Sequence, residues 1–197
     1  GLDPTLFRPP FGEYSNKVIE AASSLGYHTI QWSIDSLDWK DVSADFMVRR
    51  VLQNLQPGEI VLFHNAGVNT PRAIEILLPE IQARGYEIVP IGELIYHEDF
   101  TIDPNTGTQR PRKSTAAALP ASTIPEGAVF EVPGARGMAA FAVNVDWGEE
   151  HIPALLELFR ASDVRVTFFV TGRWAERHPT LLRQMAEGGH EIGNHGL

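Results

Sequence analysis

Short runs of β-branched and aromatic residues alternate along this chain with stretches whose apolar positions recur every three or four residues. Short β-branched and apolar runs predict strands over Thr5–Arg8, Thr29–Ile34, Glu59–Phe63, Glu87–Pro90, Ala139–Val145, Arg165–Val170 and Glu191–Gly193. Helical spacing predicts helices over Ser15–Leu25, Ser43–Gln53, Thr70–Arg84, His151–Ala161 and Pro179–Glu187. The third helix is the clearest. It reads TPRAIEILLPEIQAR, with Thr70 as N-cap, Pro71 in the first turn and Gly85 as the terminating glycine. Its Ile74, Leu77, Leu78 and Ile81 share one face. Strand and helix in alternation imply an α/β fold with a largely parallel sheet.

One stretch breaks the pattern. Residues 98–137 are rich in Pro, Gly, Thr and Ala and show neither period, which predicts a linker, or two chain ends set side by side, within a single 1–197 domain.

Composition narrows the class. With 43% hydrophobic residues over 197 positions, the chain can bury a real core. A formal charge of -9, from 16 basic and 25 acidic residues, argues against a nucleic-acid partner, because phosphate binding needs clustered Lys and Arg. Cysteine is absent, so any metal must be held by His, Asp or Glu. No apolar run is long enough to span a bilayer and no leader is evident at Gly1, so the chain reads as soluble.

Polar residues gather at strand ends. Arg8 closes the first strand, Asp35 and Asp38 follow the second, His64 follows the third, Asp146 follows AAFAVNV and His195 follows EIGN. In a parallel α/β barrel the C-terminal strand ends build the mouth of the active site. Each residue alone has a plainer reading: Asp146 as a helix N-cap, His64 as a turn residue, Arg8 as a surface cation, Trp39 as core. Their recurrence at one end of successive strands favours a shared site.

At these residues the sequence resembles the NodB-homology polysaccharide deacetylases, a family of carbohydrate esterases built on a distorted (β/α) barrel. The Arg8-Pro9-Pro10-Phe11-Gly12 loop is similar to the family's third motif, Asp35-Ser36-Leu37-Asp38-Trp39 to its fourth and Leu62-Phe63-His64 to its fifth. Asn144-Val145-Asp146-Trp147-Gly148 resembles the first, in the form seen in sporulation-associated members, and His195 opens the second. The order is therefore three, four, five, one, two. A circular permutant, or a chain in which 114–197 precede 1–113, would give that order, and the tail-like 98–113 followed by a lead-in at 114–137 favours the second.

The resemblance implies a metal-dependent hydrolase that removes acetyl groups from N-acetylated envelope glycans such as peptidoglycan or chitin-like oligomers, outside the cytoplasm. It implies Asp146 as base with Arg8 orienting it, and His64 as acid with Asp38 orienting it. It further implies the Phe11 backbone N–H at the oxyanion, and Trp39 with Leu62 around the acetyl methyl. A divalent ion, expected to be Zn²⁺, would be held by His195, but Trp147 stands where the family has an Asp ligand, and indole cannot ligate a metal. Of the family's three ligands His195 alone matches; Glu149, Glu150 and His151 are possible substitutes, and His178, His190 and Glu191 read as surface or strand-edge residues. Two other functions follow from the damaged set: a catalytically impaired glycan-binding or envelope-assembly domain, and a promiscuous acetyl esterase.

Overall fold

The computed structural model describes residues 3–112 and 127–197. The strands are β1 (Leu6–Phe7), β2 (His28–Ile30), β3 (Ile34–Asp35), β4 (Ile60–His64), β5 (Glu87–Ile88), β6 (Phe100–Ile102), β7 (Gln109–Pro111), β8 (Ala128–Val129), β9 (Met138–Val145), β10 (Thr167–Val170) and β11 (Glu191–Asn194). The helices are α1 (Asn16–Ser24), α2 (Ala44–Asn54), α3 (Thr70–Ala83), α4 (Ile91–Leu94), α5 (Ile152–Ala161), α6 (Gly172–Arg177) and α7 (Pro179–Glu187).

All pairings in the main sheet are parallel, in the order β3-β4-β9-β10-β11-β1-β2-β8, with β5 on the start of β9. The motif order that is rotated along the chain is thus a continuous walk around the sheet. The Arg8 N–H donates to Asn194 O at 2.9 Å, joining the two sequence halves edge to edge.

Side-chain parity builds the core. Along β9, Ala139, Phe141, Val143 and Val145 pack into the layer shared with the helices, while Ala140 and Ala142 face the inside of the curl. On β10, Phe168 and Val170 take the helix side and Phe169 the inner side. Small residues accommodate that ring: a Cβ on Gly193, paired with Phe169, would lie 2.5 Å from it. The inner positions of β4 and β9, continued to the strand ends, are His64 and Asn144, which pair in register.

Three sequence expectations are corrected. The single strand at Thr29–Ile34 is two, because the chain crosses from one end of the sheet to the other there. Gln31 N–H donates to Val129 O beside β8, and Ser33 N–H donates to Ile60 O beside β4, so this segment closes the curl into a distorted barrel. Residues 98–137 are not structureless where described: β6 and β7 form an antiparallel hairpin, and β8 joins the main sheet. Residues 113–126 of that stretch lie outside the described residues, as do Gly1 and Leu2. Thr70 is the first residue of α3, with Asn69 at the N-cap, and its hydroxyl goes elsewhere.

Candidate active site

His64 ends β4 on the inner face. Its Nδ1 lies 2.8 Å from Asp38 Oδ1. Asp38 is buried on the turn after β3, and its Oδ2 accepts from the His64 backbone N–H at 2.6 Å and from Thr70 Oγ1 at 2.8 Å. Gly67 permits this packing, since a Cβ there would come 2.2 Å from Thr70 Oγ1. A carboxylate only accepts, so the imidazole proton sits on Nδ1 and Nε2 is the nitrogen available to the cleft.

Asp146 is exposed on the bend after β9. The next two residues are clamped: Asn65 Nδ2 donates to Trp147 O at 2.8 Å and to Gly148 O at 2.7 Å, and Trp174 Nε1 donates to Gly148 O at 2.8 Å. Asn65 itself is buried beside His64, and its N–H donates to Asn144 O at 3.0 Å. The residue after β4 therefore grips the loop that carries Asp146. α5 begins at Ile152 with His151 at its N-cap, so Asp146 is not a helix cap.

His195 is buried at the end of β11, with Nδ1 2.8 Å from Arg8 O. That carbonyl fixes the Nδ1–H tautomer and leaves the Nε2 lone pair free. Burial lowers its pKa; the Arg8 carbonyl bond opposes this, and Arg8, Asp146 and His64 are close enough to contribute electrostatically. A neutral imidazole is favoured.

His64, Asp146 and His195 line one cleft of about 570 Å³, with Leu62 at 2% exposure in its wall. Phe11, Trp39 and Trp147 line it too, at 91%, 53% and 58% exposure, which removes the reading of Trp39 as core. Phe11 holds a positive φ of 58°, a conformation that non-glycine residues adopt at a cost of about 1–3 kcal/mol and that clusters at functional sites.

Arg8 departs from its expected role. It is fully buried rather than a surface cation, with its guanidinium 4.6 Å from the Phe169 ring centroid and 5.1 Å from that of Trp32. Nη2 donates to Gln31 O at 2.8 Å, and among the described residues Nε and Nη1 have no hydrogen-bond partner and no ion pair to Asp146 forms. Desolvation pushes its pKa down to about 9, so it remains a cation at neutral pH. It acts on the site through its carbonyl, which orients His195. His190 is buried, not on the surface: its Nδ1 accepts from the Val166 N–H at 3.2 Å. Glu191 accepts from Gly92 N–H and Thr167 Oγ1.

Among the described residues no group of three or more His, Asp or Glu is placed to hold an ion. His195 offers one nitrogen, whereas catalytic zinc takes three protein ligands.

Sequence reasoning passed over Asn65, taken as part of a turn, and Thr70, taken as a cap. It also missed Asn144 and Thr171, which line the cleft and were findable by continuing the inner parity of β9 and β10 one step past each hydrophobic run.

Comparison with known proteins gives a consistent picture. Residues 134–197 match the polysaccharide deacetylase family. A peptidoglycan-N-acetylglucosamine deacetylase of Bacillus cereus is 36% identical over 101 residues, covering 49% of this chain and 47% of the relative. The Listeria monocytogenes peptidoglycan-N-acetylglucosamine deacetylase PgdA is 37% identical over 102 residues, covering 52% of this chain and 21% of that protein. The chain thus spans about half the length of the first relative or less of the second. A solved family 4 carbohydrate esterase from Streptomyces lividans, in complex with acetate, matches at 32% identity with a TM-score of 0.39, covering 41% of this chain and 42% of that one.

Proposed function

We propose that this chain, whose residues 134–197 match the polysaccharide deacetylase family, hydrolyses acetyl groups from N-acetylated cell-envelope glycans of the peptidoglycan or chitin-like class. The observation that carries the proposal is the Asp38–His64 pair, which opens on the same cleft as Asp146.

Acetamide hydrolysis needs water made nucleophilic, charge stabilised on the carbonyl oxygen and a proton for the departing nitrogen. Asp146 removes a proton from water as the water oxygen bonds to the carbonyl carbon. The tetrahedral oxyanion then collapses, the C–N bond breaks, and His64, which enters the cycle carrying a proton taken from solvent on Nε2, delivers that proton to the amine, while Asp146 returns its own proton to solvent. Acetate and the free amino sugar leave. Asp38 accepts from Nδ1–H and so keeps Nε2 turned to the cleft. The Phe11 backbone N–H, on its strained turn, is the proposed oxyanion donor, a role worth about 3 kcal/mol in comparable sites. Leu62 and Trp39 form the apolar wall for the acetyl methyl. A peptidoglycan-type substrate puts the site of action outside the cytoplasm.

A divalent ion would activate the water and polarise the carbonyl. His195 would offer it the Nε2 lone pair, and the steps above are written for the acid–base half alone. A second reading, favoured by Trp147 at the position of an Asp ligand, is a glycan-binding domain with little or no turnover. Acetate release from N-acetylglucosamine oligomers, measured beside nitrophenyl acetate, separates these. Release from the oligomer supports the deacetylase, release from the aryl ester alone makes the protein an esterase, and release from neither leaves the binding domain.

A further inference from the structure

The chain buries one tryptophan well: Trp174 is 2% exposed, and its Nε1 is satisfied by Gly148 O. Trp147 sits on the same loop and is 58% exposed. Leaving an indole in water forgoes one of the largest burial terms available to a side chain. The backbone beneath it is nevertheless fixed. Asn65 binds both Trp147 O and Gly148 O, Trp174 binds Gly148 O as well, and Gly148 turns the chain away at φ 71°. A mobile surface loop has no need of a buried amide spanning two consecutive carbonyls. The clamp presents the indole, next to Asp146, at the wall of the cleft.

The surroundings specify what would cover it. Phe11 and Trp39 reach the same cleft from two other loops, so aromatic faces from three segments surround His64, Asp146 and His195. An apolar protein surface closing on this cleft would bury those polar groups without partners, at a cost of several kcal/mol. A pyranose suits both parts: its axial C–H face lies on an aromatic ring while its equatorial hydroxyls meet polar side chains. The volume of about 570 Å³ falls in the range that encloses drug-sized ligands, the class of a short glycan segment rather than a lone acetyl ester.

We infer that the Trp147 indole is a sugar-stacking platform, binding a pyranose unit next to the one held at Asp146 and His64, and so selecting a glycan chain over a single N-acetyl sugar. The inference rests on the glycan half of the function proposed above and extends it to a residue outside the acid–base set.

The test is calorimetric titration of the full chain with N-acetylglucosamine tetramer and with the monosaccharide, for wild type, Trp147→Ala, Trp147→Leu and Trp147→Phe. Thermal melts confirm folding, and Trp147→Leu keeps apolar bulk should Trp147→Ala fail to fold. Wild type binds the tetramer more tightly than the monosaccharide. Loss of the aromatic face in the Ala and Leu variants weakens tetramer binding roughly tenfold and narrows that preference, while Phe restores most of it. A tetramer Kd within twofold of wild type in folded Trp147→Ala or Trp147→Leu overturns the inference, as does a wild-type chain that does not bind tetramer. Acetate release from the tetramer, read in parallel, keeps the two proposals apart. Release with Trp147-independent binding removes the platform and leaves the deacetylase; Trp147-dependent binding without release does the reverse.

Discussion

Asp38 meets His64 twice, through Nδ1 at 2.8 Å and through the backbone N–H at 2.6 Å, so one buried carboxylate fixes both the ring and the strand end that carries it. Asp38→Asn keeps the shape but no longer enforces the proton on Nδ1. A fall in kcat of about 10²- to 10⁴-fold is expected, with KM little changed, because the loss affects proton delivery in the transition state. Steady-state kinetics on an N-acetylated oligomer, with circular dichroism as a folding control, checks it.

Asn65 joins that strand to the Asp146 loop. Asn65→Leu removes the donor to Trp147 O and Gly148 O, and a loss of about 1–3 kcal/mol in unfolding free energy is expected from carbonyls left without it. Activity should fall further than stability explains, through a lower kcat, since the loop carrying Asp146 is no longer anchored beside β4. Urea unfolding and kinetics on the same samples separate the two effects.

Two histidines remote from the cleft set the acid limit of the fold. Burial drives the pKa of His28 down to about 4, with His97 adding to the shift, and burial does the same for His190, with Arg165 adding to it. The unfolded chain, with ordinary values near 6.5, binds more protons than the folded one between those limits. Their contribution is therefore complete above about pH 7 and is lost as pH falls toward 4. The melting temperature should decline through that window, and His190→Gln should flatten the decline.

Much of this was legible in the sequence because period-2 parity and C-terminal strand ends are local signals. His64, Asp146 and His195 fall where β4, β9 and β11 stop, and the structure brings them to one cleft. Other features depend on three-dimensional closure. Arg8 was matched to Asp146 by motif, yet two aromatic rings and the Gln31 carbonyl capture its guanidinium. The two-residue β8 has too few positions to show a period and exists only because β2 lies beside it. The Thr70 hydroxyl would satisfy a helix end in isolation, but a buried carboxylate is the stronger acceptor.

The donor set bears on metal binding. With no three donors grouped to hold an ion among the described residues, the purified chain should retain less than one equivalent of Zn²⁺ after dialysis, and His195→Ala should lower that further. Elemental analysis decides. A full equivalent surviving a chelator would mean that further donors complete the centre.

The most direct test of the paired site is acetate release from an N-acetylated glycan by wild type, Asp146→Asn, His64→Ala and the double variant. Residues acting in one proton-transfer sequence are not additive, so each single change should cost about 10²- to 10⁴-fold and the double little more than the worse single. Unchanged release in either single variant, or losses that multiply in the double, would contradict a shared site.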